Sequence, residues 1–245
     1  MIAKAFSVHL LKSIEPSTLG VYISGLTGLY DLFLYHSLIT HNPFKHPLVA
    51  IKGSARKAKK PTPKLTTEQT QKLLTHFKEN SAGDMRNRCI LALLLGGGLR
   101  RQEIVNLCLG DIIPAQPGTP FMTARLYYTK GSVYEEQSLP NWAADYVMDW
   151  IGYRCLGGAK YDEPLIDLGL EGLHKAWKRM CAACGIFGVG LHSCRVTAAN
   201  KLMNDGYSAI EIQQFMRHKH LVTTINYMRR ETKASTNPGR DLDYF

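Results

Sequence analysis

The sequence predicts a mainly α-helical fold with one small antiparallel β-sheet, in a large unit preceded by a short helical one. Three observations carry this. Apolar residues recur at three- and four-residue spacing over most of the chain. One pair of alternating segments flanks Lys130-Gly131-Ser132. An acid-free basic stretch, residues 52 to 64, is punctuated by Pro61 and Pro63 and reads as a linker. A chain of 245 residues has room for one or two domains with a sizeable core.

In chain order, residues 17 to 37 predict an amphipathic helix through Leu19, Tyr22, Ile23, Leu26, Leu29, Tyr30 and Phe33, with Ser17-Thr18 as its cap. Asn42-Pro43 and Pro47 break it. These residues, 1 to 51, form a first helical region. The linker then carries Arg56, Lys57, Lys59 and Lys60, which either lie along a phosphate backbone or form a solvated tether.

The larger unit is expected over residues 65 to 230, with a polar tail from 231 to 245. Thr66 and Gln69 have capping-box spacing, and Leu73, Leu74 and Phe77 supply the buried face behind them. Asp84 is expected to cap the next helix, whose apolar run from Cys89 to Leu95 belongs to the core and stops at Gly96-Gly97-Gly98. Arg100 follows at the first turn of another helix. Glu103, one turn on, is placed to hold its guanidinium; taken alone, the pair reads as an ordinary surface ion pair.

Residues 121 to 129 and 133 to 139 alternate as two strands of a hairpin with Lys130 at its tip. A helix from Asn141 is expected to bury Trp142, Tyr146, Trp150 and Ile151. Another buries Leu173, Ala176, Trp177, Met180 and Cys184 before Gly185. Val196, Ala199, Leu202 and Met203 give a helix face starting at Arg195 and ending at Gly206. Ser208 and Glu211 form a capping box for the next helix, and Thr223 or Thr224 caps a last one containing Tyr227.

Thirty Lys+Arg against twenty Asp+Glu give a formal charge of +10, which favours a polyanionic partner, although charge alone fits a merely basic protein as well. No apolar run approaches the roughly 18 residues of a membrane span, and residues 5 to 11 lack the features of a signal peptide. The expectation is a protein with no membrane partner, working in the cytoplasm. Six cysteines lack the density of a disulfide scaffold. Cys181-x-x-Cys184, with His192 and Cys194 nearby, invites a metal reading. The two thiols instead extend the apolar stripe, and no second Cys-x-x-Cys exists, so no metal site is assigned.

The residues that carry chemistry are concentrated between His192 and Tyr227. Two histidines, an arginine and a tyrosine, spaced by short helices, can converge on one anionic group. With Gly98-Leu99-Arg100-x-x-Glu103, Lys130, His192-x-x-Arg195, His218 and Tyr227 nine residues beyond it, the chain resembles the tyrosine recombinase (phage integrase) family over residues 65 to 230. The chain departs from the family at Cys194-Arg195-Val196, where members carry Leu-Arg-His, and at Met216-Arg217-His218, where they carry Leu-Gly-His. Arg217 either adds a phosphate contact or crowds the site.

The resemblance implies a tyrosine recombinase catalytic domain after an abbreviated helical DNA-binding region, and a site-specific recombinase or integrase. Arg100, Arg195 and His218 would contact the scissile phosphate, and His192 would act as acid/base for the Tyr227 hydroxyl. Lys130 would protonate the departing 5′-oxygen. The product would be a 3′-phosphotyrosine, and no metal or nucleotide cofactor is needed because arginines supply the charge. Glu103 is a supporting residue. Arg56, Lys57, Lys59, Lys60, Arg101 and Arg217 are expected to bind double-stranded DNA. By analogy the chain forms a homodimer on a site and a tetramer at synapsis. A non-catalytic DNA-binding regulator on the same fold and a type IB topoisomerase are the alternatives.

Overall fold

The computed structural model describes residues 2–10, 12–45, 62–78, 81–118, 120–127 and 134–228, with the side chains of 2, 16, 17 and 226 to 228 set aside. The chain divides into two compact units, Met1–Pro61 and Thr62–Phe245. Arg56, Lys57, Lys59 and Lys60 lie outside the described residues.

The first unit contains α1 (Ile2–Leu10), α2 (Pro16–Tyr35) and a 3-10 turn at Pro43–Lys45. Helix α1 was not legible in the sequence: nine residues are too few to stand out by periodicity, and it buries little beyond Ala3 and Ser7. Helix α2 starts one residue before the expected cap, with Glu15 at the N-cap position and Pro16 in the first turn, where its missing N–H costs nothing. The Asn42-Pro43 break is tied back onto α2. Asn42 Nδ2 donates to the Thr27 carbonyl at 2.9 Å and to Asp31 Oδ1 at 2.8 Å, and Phe44 packs edge-on to Tyr30.

In the second unit, α3 (Thr67–His76) begins with the expected capping box, the Gln69 N–H donating to Thr66 Oγ1 at 3.1 Å and the Thr66 N–H to Gln69 Oε1 at 3.0 Å. Helix α4 (Ala82–Leu91) is capped by Ser81 rather than Asp84. Asp84 stands one turn inside, where its carboxylate still favours the helix N-terminus, and its N–H donates to Ser81 Oγ. The apolar run continues as a π-helical turn, Ala92–Gly96, and Cys89 through Leu94 are completely buried at the centre of the core.

The sheet has order β1-β2-β3, all antiparallel: β1 (Ile112–Ile113), β2 (Met122–Tyr127) and β3 (Tyr134–Leu139). The β2–β3 register pairs Met122 with Leu139 and Tyr127 with Tyr134, so the two strands form the expected hairpin; its connection, with Lys130, lies outside the described residues. Met122, Ala124, Leu126 and Leu139 face the core.

Helix α6 (Asn141–Leu156) buries Ala143, Val147 and Trp150, a stripe at positions i, i+4 and i+7. That stripe turns Trp142 outward to 39% exposure, a correction to its expected burial, while Trp150 Nε1 donates to the Leu165 carbonyl at 2.7 Å. Helix α7 (Leu170–Ala183) buries the expected stripe, with Cys181 and Cys184 continuing it as free thiols. Burial pushes the Cys181 thiol up to about 12.

Helices α8 (Leu191–Asn204), α9 (Ala209–Met216) and α10 (Leu221–Met228) complete the unit. Helix α8 begins a full turn before Arg195, its Gly190 N–H donating to Ser193 Oγ at 3.1 Å, so His192 and Arg195 share one helix. The Ser208–Glu211 capping box of α9 is present. Thr224 lies inside α10 instead of capping it. No helix among the described residues is long and apolar enough to cross a membrane.

Candidate active site

The site is built where the end of the buried α4 run meets the turn between α9 and α10. Gly98 has φ +57°, and a Cβ there would stand 2.9 Å from Cε1 of Phe215. Only glycine adopts this left-handed conformation without penalty while letting α9 approach so closely. The turn sends the chain into α5 (Arg101–Asn106), with Arg100 at its N-cap position.

Arg100 is held from two sides. Its Nη1 donates to Glu103 Oε1 at 2.6 Å, and its main-chain N–H donates to Glu103 Oε2 at 2.7 Å. Its Nη2 donates to the Arg217 carbonyl at 2.7 Å and, at 3.4 Å, to the Met216 carbonyl. The side chain keeps 38% of its surface exposed, whereas Glu103 keeps only 7%.

Arg195 reaches the same turn from below. One guanidinium nitrogen donates to the Gly98 carbonyl and the other to the Met216 carbonyl, and the residue is 1% exposed. The Met216 carbonyl therefore accepts from both arginines, which joins three segments far apart in sequence at one point.

His218 follows two residues later. Its Nδ1 lies 2.9 Å from the buried Thr224 hydroxyl, and its carbonyl accepts from Gln213 Nε2 at 2.9 Å. Burial, followed by the charges of Arg195, Arg100, His192 and Arg217, holds this imidazole down at about 4. His192 opens to solvent on one side, yet burial in the surrounding protein and the charges of Arg195 and Arg100 lower it too. Both shifts favour the neutral ring.

Arg217, expected either to add a phosphate contact or to crowd the site, turns inward. It caps α9 in a left-handed conformation, φ 51° and ψ 47°, which costs a non-glycine residue about 1 kcal/mol. Its side chain is only 6% exposed and turns into the protein, because acceptors await it there. Nη2 donates to Glu103 Oε2 at 2.7 Å, and Nη1 donates to Gln137 Oε1 and to the Phe215 carbonyl. Burial works against the Glu103 carboxylate, but the Arg217 charge and the hydrogen bonds from both arginines outweigh it and leave its pKa below the ordinary value.

An open cleft of about 900 Å³ borders these groups, lined by Arg100, Gln213, His218 and Lys219, with Glu135 and Glu136 of β3 also on its wall. Arg101 is exposed at the start of α5. Tyr227 lies in α10 three residues after Thr224, a spacing that puts the two positions on one face of a helix. Its side chain, like Lys130, is outside the described residues. No group of three or more His, Cys, Asp or Glu able to hold a metal occurs among the described residues.

Sequence reasoning missed the Thr224 partner of His218, the Gln137 anchor and the main-chain acceptors at Gly98 and Met216. The acceptors leave no trace in residue identity, and Thr224 reads equally well as a helix cap.

The phage integrase family model matches residues 63–234. The tyrosine recombinase XerC of Vibrio vulnificus (strain YJ016) is 23% identical over 227 residues, covering 88% of this chain and 67% of the relative. That of Listeria innocua is 25% identical over 226 residues, covering 88% and 72%. Among solved structures, the Tn1549 transposon integrase (residues 82–397) in complex with circular intermediate DNA superposes with a TM-score of 0.70 at 18% identity, covering 98% of this chain and 84% of that one. With the family model spanning most of the chain, and the fold shared with that integrase, the protein belongs to the phage integrase family: it is a site-specific tyrosine recombinase.

Proposed function

We propose that Tyr227 is the nucleophile of strand cleavage and that Arg100, Arg195, His192, His218 and Lys130 serve it. The observation that carries this reading is the convergence of Arg100 and Arg195 on the Met216 carbonyl, two residues before His218. Two guanidinium groups fixed there create a positive site for a phosphodiester, and a preorganised charge needs no reorganisation as the transition state forms. Arg100, partly exposed, presents donors to a non-bridging oxygen. Arg195, buried behind it, contributes a fixed field.

The tyrosine hydroxyl, with a solution pKa of about 10, needs a base at neutral pH. His192, held neutral beside the arginines, accepts that proton as the Tyr227 oxygen attacks phosphorus. The bond to the 5′-oxygen breaks, Lys130 delivers a proton to that oxygen, and a 3′-phosphotyrosine remains. Reversal by another 5′-hydroxyl rejoins a strand. His218, with Nδ1 engaged by Thr224, offers Nε2 to the phosphate.

The first unit and the basic segment of residues 52 to 64, with Arg101, bind the duplex. In this reading the partner is double-stranded DNA, the working unit is a dimer on a site and a tetramer at synapsis, and the compartment is the one that holds the DNA. A nicked suicide duplex built on the repeats flanking the gene is expected to trap a protease-sensitive covalent adduct with the wild-type protein and none with Tyr227→Phe. A wild-type protein that binds the duplex without forming the adduct overturns the reading.

A further inference from the structure

Arg217 occupies a position where a left-handed backbone favours glycine, and it buries a charged side chain instead. We propose that Arg217 is a positioning residue for strand cleavage: it fixes Glu103, and through Glu103 the guanidinium of Arg100, while pinning strand β3 to the turn that presents His218. The proposal rests on the reading of Arg100 as a ligand of the scissile phosphate.

The geometry gives each oxygen of Glu103 a distinct task. Oε1 accepts from Arg100 Nη1 at 2.6 Å, while Oε2 accepts from the Arg100 main-chain N–H at 2.7 Å and from Arg217 Nη2 at 2.7 Å. Arg100 and Glu103 stand at the start of the same short helix and engage each other at both carboxylate oxygens, so on their own they can shift as a unit. Arg217, anchored to Gln137 and to the Phe215 carbonyl, adds a bond to Oε2 from outside that helix and so ties the carboxylate, and the Arg100 fork with it, to the rest of the protein. The Arg217 carbonyl adds a second constraint by accepting from Arg100 Nη2 at 2.7 Å. Arg217 thus reaches Arg100 through both its side chain and its main chain.

Charge leads to the same conclusion. Arg100 and Glu103 alone form a neutral pair, which attracts a phosphodiester weakly. The addition of Arg217 makes the trio a net monocation, so Arg100 keeps its pull on an anion although it is salt-bridged. At 6% exposure, Arg217 exerts this effect from inside the protein. The same side chain donates to Gln137 and places its Nε 3.9 Å from the Glu135 carboxylate, both on β3, the strand that follows the segment containing Lys130. One residue therefore couples the turn before His218, helix α5 and the hairpin.

The test compares the full-length wild type with Arg217→Gly and Arg217→Lys. Glycine suits the backbone, so the first variant removes the side chain without straining the turn; lysine keeps the charge but not the fork, and guards against a folding defect. Affinity for a random 30-base-pair duplex is expected to fall by no more than about threefold in Arg217→Gly, because the weakened pull acts at one phosphate among many, and its salt slope is expected to remain at the wild-type level. Cleavage of the suicide duplex is expected to fall about ten- to a hundredfold, with the acid limb of its pH profile moved upward and partial recovery in Arg217→Lys. Carbon-13 NMR of the Glu103 carboxyl is expected to show its titration at higher pH in Arg217→Gly, a readout that needs no DNA cleavage. Unchanged Glu103 titration, wild-type cleavage, or a loss of duplex affinity with a salt slope shallower by about one would each overturn the proposal, the last because it marks a direct phosphate ligand. If the wild type forms no adduct, the proposed function fails while the Glu103 titration still decides whether Arg217 governs that carboxylate.

Discussion

Arg195 and Arg100 meet at one carbonyl, yet the protein holds them in opposite ways. Arg195 projects from the second turn of a fourteen-residue helix, is 1% exposed, and spends donors on the main-chain carbonyls of Gly98 and Met216. Arg100 stands at the start of a six-residue helix, keeps 38% of its side chain exposed, and is steadied by the Glu103 carboxylate. The first is part of the packing that brings the α9–α10 turn against the glycine turn. The second is a side chain that other groups aim. An arginine can therefore belong to a site either by holding the backbone together or by being held, and mutation separates the two.

The largest effect is expected at the buried partner. Arg195→Ala leaves the Gly98 carbonyl without this donor and the Met216 carbonyl with only the 3.4 Å bond from Arg100, and it opens a cavity, so stability should fall by about 3 kcal/mol together with loss of cleavage. Urea denaturation measures it, and a midpoint within error of wild type would contradict a packing role for Arg195. Arg100→Ala is expected to cost about 1 kcal/mol or less in the same measurement, because its ion pair is partly solvated, while suicide-duplex cleavage falls at least about a hundredfold.

The smallest effect is expected from pH. His218 titrates at about 4 in the folded protein and near 6.5 when unfolded, so between those values the unfolded chain binds a proton that the folded chain does not. Stability contributed by this group is therefore lost as the pH falls from about 7 toward 4. Burial is the largest cause, with Arg195 and then Arg100 next. Arg100→Ala should reduce the acid-dependent loss modestly, and His218→Asn should reduce it further. Denaturation midpoints measured at pH 7 and pH 5 provide the check; a wild-type protein whose midpoint rises on acidification would contradict the assigned direction.

Much of the second unit was legible because its determinants are local. Thr66 with Gln69 and Ser208 with Glu211 cap their helices through side chains three residues apart, and the stripe from Leu173 to Cys184 follows the helical period. The hairpin followed from alternation. Where a second candidate competed within a few residues, as Ser81 did with Asp84, periodicity did not choose between them, and the hydrogen bond to the Asp84 N–H did. Trp142 was misread because a helix that buries every fourth residue must expose some large ones.

Residue identity and order point to the groups proposed for the chemistry, since phosphate transfer to a tyrosine calls for arginines and histidines that can be read directly along the chain. They also show Gly98 ending a buried run and freeing a turn. That Arg217 faces inward, that Glu103 accepts from two arginines and that the Met216 carbonyl is shared follow from packing in three dimensions. The reason is that hydrogen-bond acceptors on the main chain are identical at every residue, and a buried charge goes wherever folding has placed its partners, in this protein 114 residues away in the chain.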